Sequence, residues 1–118
     1  MSRTLKNYIG GEWVDADTSQ SIPVSNPATN ETLALCPEST YADVDRAVQA
    51  AQAAFEEWRS TPVMSRAQYM YRFKTLLEER FEDLAKMVVM ENGKTIDEAR
   101  GEVRRGIESI DFATGVPF

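Results

Sequence analysis

The chain has 118 residues, a length that fits one domain or part of one, and at 42% apolar and 27% charged its composition is that of a globular protein. Its net charge of −6, with basic residues interleaved among acids, leaves no footprint for nucleic acid, and the lack of histidine argues against most hydrolytic and zinc chemistries. A single cysteine excludes an internal disulfide, and with no apolar leader and no uncharged apolar run of about 18 residues the expectation is a cytoplasmic chain without a membrane partner.

The first third predicts strands and turns. In "NYIGGEWVD", Gly10 and Gly11 separate Tyr8 and Ile9 from Trp13 and Val14, and paired glycines supply the positive φ of a tight hairpin. Ile22 to Val24 and Thr32 to Cys36 are expected to be extended, with Asn26 to Asn30 as the turn between them. Pro23 cannot donate to a ladder, so its strand is expected at a sheet edge.

From residue 40 the apolar period becomes helical. Thr40 with Asp43 predicts a helix start, followed by Val44, Ala47, Val48, Ala51, Phe55 and Trp58 on one face and an end before Pro62. Ser65 and Gln68 have capping-box spacing, with Met64 and Tyr69 placed for an apolar staple. One helix of roughly 28 residues, about 42 Å long, is expected from there to about Asn92, with Phe73, Leu76, Leu77, Leu84 and Val88 along its main apolar face. The last helix is expected to start at Thr95 as cap with Glu98 at N3, Asp97 in the first turn and Arg104 and Arg105 further along. Ala99, Val103, Ile107 and Ile110 face inward from it.

Three groups invite a functional reading. "ENGKT", residues 91 to 95, ends like a phosphate-binding loop, but such a loop needs glycine five residues before Gly93, where Val88 stands, and must arrive from a strand. Gly93 is better placed as the left-handed end of a helix, although a helix N-terminus does follow Lys94 and Thr95. Cys36, between Leu35 and Pro37 with no histidine in the chain to activate it, is expected to be a buried, inert strand cysteine. The pairs Glu56-Glu57, Glu78-Glu79 and Glu82-Asp83 are expected on solvated helix faces among lysines and arginines.

Apolar residues also exceed what so small a chain can cover. Tyr69, Met70 and Tyr71 point about 100° apart around their helix, and "MVVM" at 87 to 90 encircles it. The chain stops at Gly115-Val116-Pro117-Phe118, on an aromatic residue. A piece of something larger is the expectation.

The blocks "NYIGGEWV", "NPATNETLA", "DVDRAVQAAQAAFEEW", "SRAQYMYRFKTLLEER" and "MENGKTIDEARGEV", in that order, resemble the N-terminal quarter of the NAD-dependent aldehyde dehydrogenase superfamily over essentially the whole chain. "STPVMSRAQYMYR" and "ARGEVRRGIESIDFATGVP" are most similar to its CoA-acylating methylmalonate-semialdehyde dehydrogenase branch.

The resemblance implies an α/β fold of which only the N-terminal portion is present: a hairpin and short strands over residues 1–38, then three α-helices over 40–114. It implies a parent enzyme that forms a thiohemiacetal on a cysteine, passes hydride to NAD and hands the acyl group to coenzyme A, with the oxyanion held by preorganised donors. The nucleophilic cysteine and the Rossmann-like cofactor core would both lie beyond Phe118, so no residue here is assigned as catalytic, cofactor-binding or metal-binding, and the chain alone is expected to be inactive and to bind neither cofactor. "ENGKT" would be a family fingerprint without a phosphate role. Some relatives hold a cation near the residues equivalent to Val24 and Glu102, but Glu102 is more simply an ion-pair partner for a nearby arginine. The implied partners are the remainder of the enzyme and sister subunits in a homo-oligomer. Another semialdehyde dehydrogenase, or a free-standing helical interaction module, remains as the alternative.

Overall fold

The computed structural model describes residues 3 to 117, which pack as two compact units dividing between Ser60 and Thr61.

The first unit holds five strands and a helix. Strands β2 (Asn7–Ile9) and β3 (Glu12–Val14) form the expected antiparallel hairpin, Tyr8 opposite Trp13. Gly10 and Gly11 turn it at φ 62° and 87°, a backbone region that residues with a Cβ rarely adopt. Strands β1 (Arg3–Thr4), β4 (Ser21–Ser25) and β5 (Thr32–Pro37) form a second sheet in the order β1-β5-β4. Pro23 therefore lies on an edge strand, as its missing N–H requires. The turn between β4 and β5 is built by Asn26, whose side-chain oxygen accepts from the Ala28 N–H at 3.0 Å, and by Asn30 at φ 60°. Strand β1, parallel to β5, was not foreseeable from pattern, since two residues show no alternation.

Helix α1 spans Tyr41–Ser60, close to its expected bounds. Its apolar stripe is largely exposed: Val44, Val48 and Phe55 are each more than half exposed, Ala47 is half-buried, and the one buried residue of the helix is a carboxylate, Asp43.

The second unit contains α2 (Val63–Glu79), α3 (Phe81–Asn92) and α4 (Ile96–Gly115). The expected single helix from Ser65 to Asn92 is thus two, and the three expected helices become four in all. Arg80, at φ −104° and ψ 14°, leaves the helical region and serves as C-cap of α2 and N-cap of α3; nothing in the propensity of "EERFED" announces this break. The Ser65 capping box is also absent. Helix α2 begins two residues earlier, after Pro62 at φ −52° and ψ 141°, which makes no side-chain cap, and Ser65 lies inside the first turn. Proline's fixed φ and the following helical residues set this start without a side-chain bond.

The buried apolar residues among those described are Ala67, Ala85, Ala99 and Ile107. Three alanines in four mean that the helices meet closest where side chains are smallest. The inward positions of α4 are as expected, with Ala99 and Ile107 buried and Val103 and Ile110 half-buried. Of the expected α2–α3 face, Leu77, Leu84 and Val88 are half-buried, whereas Phe73 and Leu76 are exposed. The break at Arg80 resets the helical phase, so a face drawn straight through residues 65 to 92 cannot be buried along its whole length.

Candidate functional site

The segment with a nucleotide-like sequence has the geometry of a helix joint. Gly93 lies at φ 75° and ψ 16°, and its N–H closes the end of α3 on the Val89 carbonyl at 2.9 Å. Thr95, extended at φ −68° and ψ 155°, caps α4 with the expected complete box: its hydroxyl accepts from the Glu98 N–H at 3.4 Å, and the Glu98 carboxylate accepts from the Thr95 N–H at 3.1 Å and hydroxyl at 2.9 Å. These bonds from the Thr95 side chain and backbone, with Lys94 adding a weaker attraction, hold the Glu98 carboxyl below its ordinary pKa. The position that a phosphate would take at this helix end is filled by the protein's own carboxylate.

Lys94 is turned away from that end. Its ammonium bonds the Glu102 carboxylate, which Arg105 also approaches at 3.7 Å. Glu102 is therefore an ion-pair partner as expected, with Lys94 the closer of its two cations. Among the described residues no group of three or more histidine, cysteine, aspartate or glutamate side chains is placed to hold a metal ion.

The paired carboxylates lie on exposed helix faces; Glu56 pairs with Arg59 of its own helix at 3.2 Å, and Glu78 and Glu82 have partners on α4. Glu82 receives a two-pronged bond from Arg100, both contacts at 2.9 Å, and Glu78 receives one from Arg104 at 2.7 Å. Arg100 lowers the Glu82 pKa and is itself raised by Glu82; Glu78 likewise raises Arg104. These pairs tie α4 to α2 and α3, and Arg104 also stacks over the Phe81 ring at 4.8 Å.

Cys36 is exposed rather than buried, with its Sγ 3.9 Å from the Pro37 carbonyl. Strand alternation turns it to an outer face of β5 while Leu35 and Pro37 are half-buried, so the expectation of burial is corrected.

The joint at Gly93 and Thr95 does not fit the diphosphate of a nicotinamide dinucleotide or of coenzyme A. Such a group needs free backbone N–H donors in a glycine-rich strand-to-helix turn. Here Gly93 follows a helix, and the Thr95 cap is closed by Glu98. What these elements can offer is apolar surface. Leu77, Leu84, Val88, Val103, Gly106 and Ile110 line an open groove in the second unit. In the first unit, Trp13 is 67% exposed, its ring tilted at 52° to that of Tyr8 with centroids 5.0 Å apart.

A hairpin, a small mixed sheet and four helices, rich in unpartnered apolar surface, form the N-terminal portion of a larger α/β enzyme fold. The chain belongs to the aldehyde dehydrogenase family, whose model matches residues 13–117. It is 55% identical over 113 residues to malonate-semialdehyde dehydrogenase of Bacillus pumilus strain SAFR-032, covering 96% of this chain and 23% of that protein. Methylmalonate-semialdehyde dehydrogenase of Oceanimonas doudoroffii has a solved structure that superposes with a TM-score of 0.92 at 38% identity, covering 98% of this chain and 23% of that one. A mutant of aldehyde dehydrogenase C from Pseudomonas syringae, solved with NAD+ and octanal, superposes with a TM-score of 0.90 at 41% identity over 93% of this chain and 23% of that one. The chain thus spans about a quarter of the length of the relatives it matches.

Proposed function

We propose that this chain is the N-terminal quarter of an NAD-dependent, CoA-acylating malonate- or methylmalonate-semialdehyde dehydrogenase, and that it does no chemistry by itself. The reading is carried by the 55% identity with a malonate-semialdehyde dehydrogenase along 96% of the chain. The segment's task in the complete enzyme is scaffolding: its helices brace the cofactor-binding core, and its exposed apolar surface is covered by the remainder of the subunit and by sister subunits in a homo-oligomer. The nucleophile, the oxyanion donors and the sites for NAD and coenzyme A belong to residues beyond 118, in a cytoplasmic enzyme. Among the described residues no helix is long and apolar enough to cross a membrane.

The test is to express the reading frame continued past residue 118 and follow NADH formation from malonate semialdehyde with and without coenzyme A. Formation of NADH that requires coenzyme A is expected. A frame that closes at residue 118 in an expressed gene would overturn the reading in favour of a free-standing interaction module, and equal turnover without coenzyme A would remove the acylating branch.

A further inference from the structure

We propose that the open groove of the second unit seats one face of a helix from the same polypeptide, with Gly106 as the point of closest approach. This rests on the reading that the chain is part of a longer enzyme, and on four observations. First, the groove is lined throughout by apolar residues, and four of them, Val103, Gly106, Ile107 and Ile110, recur at helical spacing along α4. Second, the lining residues carry no polar side chain, and three ion pairs of the same helices, Glu78 with Arg104, Glu82 with Arg100 and Lys74 with Asp111, are made between the helices, so the lining presents no side-chain donor or acceptor to an occupant. An extended segment placed there would leave backbone groups unpaired on that side, whereas a helix satisfies its own. Third, Gly106 is exposed in the middle of a helix, where glycine is unfavourable, and a Cβ built on it meets nothing within 4 Å. Among the described residues no contact requires glycine there; a helix lying across α4 does, because interaxial distance is set by the side chains at the contact. Fourth, the relatives are about four times as long as this chain, which supplies the covering segment in cis without recourse to a second copy.

The experiment compares the full-length enzyme with its Gly106→Ala and Gly106→Leu variants by thermal unfolding at several protein concentrations. If the groove is covered in cis, the melting temperature falls by several degrees in the order wild type, Ala, Leu, independently of concentration. If it is open, both variants melt higher, since each is a better helix former than glycine, and the proposal is overturned. A fall that disappears on raising the protein concentration assigns the groove to a second copy and equally overturns it. Should the Leu variant fail to fold, the sign of the Ala shift still decides. NADH formation by the wild-type enzyme is followed in parallel: its absence sinks the functional reading, while the order of melting temperatures continues to judge the groove.

Discussion

A buried carboxylate is tolerated only when its lone pairs are used, and Asp43 uses them fully. It accepts from the Thr40 N–H at 2.8 Å, the Thr40 hydroxyl at 3.0 Å and the Asp17 N–H at 3.0 Å, and it pairs with Arg46. The Thr40 and Asp17 backbone bonds, strengthened by Arg46 and opposed by burial, lower its pKa from 3.8 to about 2. The helix start at Thr40 and Asp43 was legible from spacing, whereas the clamp on Asp17, 26 residues away, was not, because "DADTSQ" reads only as a polar linker. A folded pKa below the unfolded one means that the carboxylate stabilises the fold fully above about pH 4, and that this contribution is lost as the pH falls through the folded value near 2. Asp43→Asn should therefore melt well below wild type at about pH 7, where its amide cannot accept all four bonds, and the gap should close toward about pH 2. Thermal melts across that range check it; a gap that persists unchanged at the acid end would show that geometry, not charge, sets the effect.

Among the elements, the joint between α3 and α4 illustrates how far local rules carry. Gly93 at φ 75° and the Thr95–Glu98 box are both local devices, requiring nothing beyond their own few residues, and both were legible from "ENGKTIDE". Gly93→Ala should cost on the order of 1 kcal/mol, because a Cβ is disfavoured in the left-handed region, and Gly93→Asn should cost less, because Asn tolerates that region better. Denaturant melts of the two variants test the order, and an Ala variant as stable as wild type would show that the joint has relaxed to another conformation. The break at Arg80 is the opposite case. The glutamates flanking it are good helix formers, and on either side of the break α2 and α3 each pack against α4, a tertiary contact that local propensity does not report.

For the whole molecule, the large apolar side chains carry the lesson. Phe55, Phe73, Leu76, Tyr41 and Phe112 are all exposed beyond two-fifths of their surface, while the buried apolar set is three alanines and one isoleucine. A chain so arranged has not removed its apolar surface from water. The isolated 118 residues should therefore bind a hydrophobic dye strongly or self-associate as concentration rises. Sedimentation with dye titration provides the measurement. A dye-negative monomer with a sharp melting transition would contradict the account of missing covering surface.

The sequence by itself determined what acts over a few residues: the Gly10-Gly11 hairpin, the edge position of Pro23, the Asn26 to Asn30 turn, the end of α3 at Gly93 and the cap of α4 at Thr95. It also carried the family resemblance, because five blocks in order are a property of the string. Only the tertiary structure decided that Cys36 is exposed, that one long helix is two, that Lys94 turns to Glu102, and that the apolar stripe of α1 is largely exposed. Burial, helix phase and ion-pair choice depend on which distant surfaces meet, and periodicity reports a face without reporting its partner.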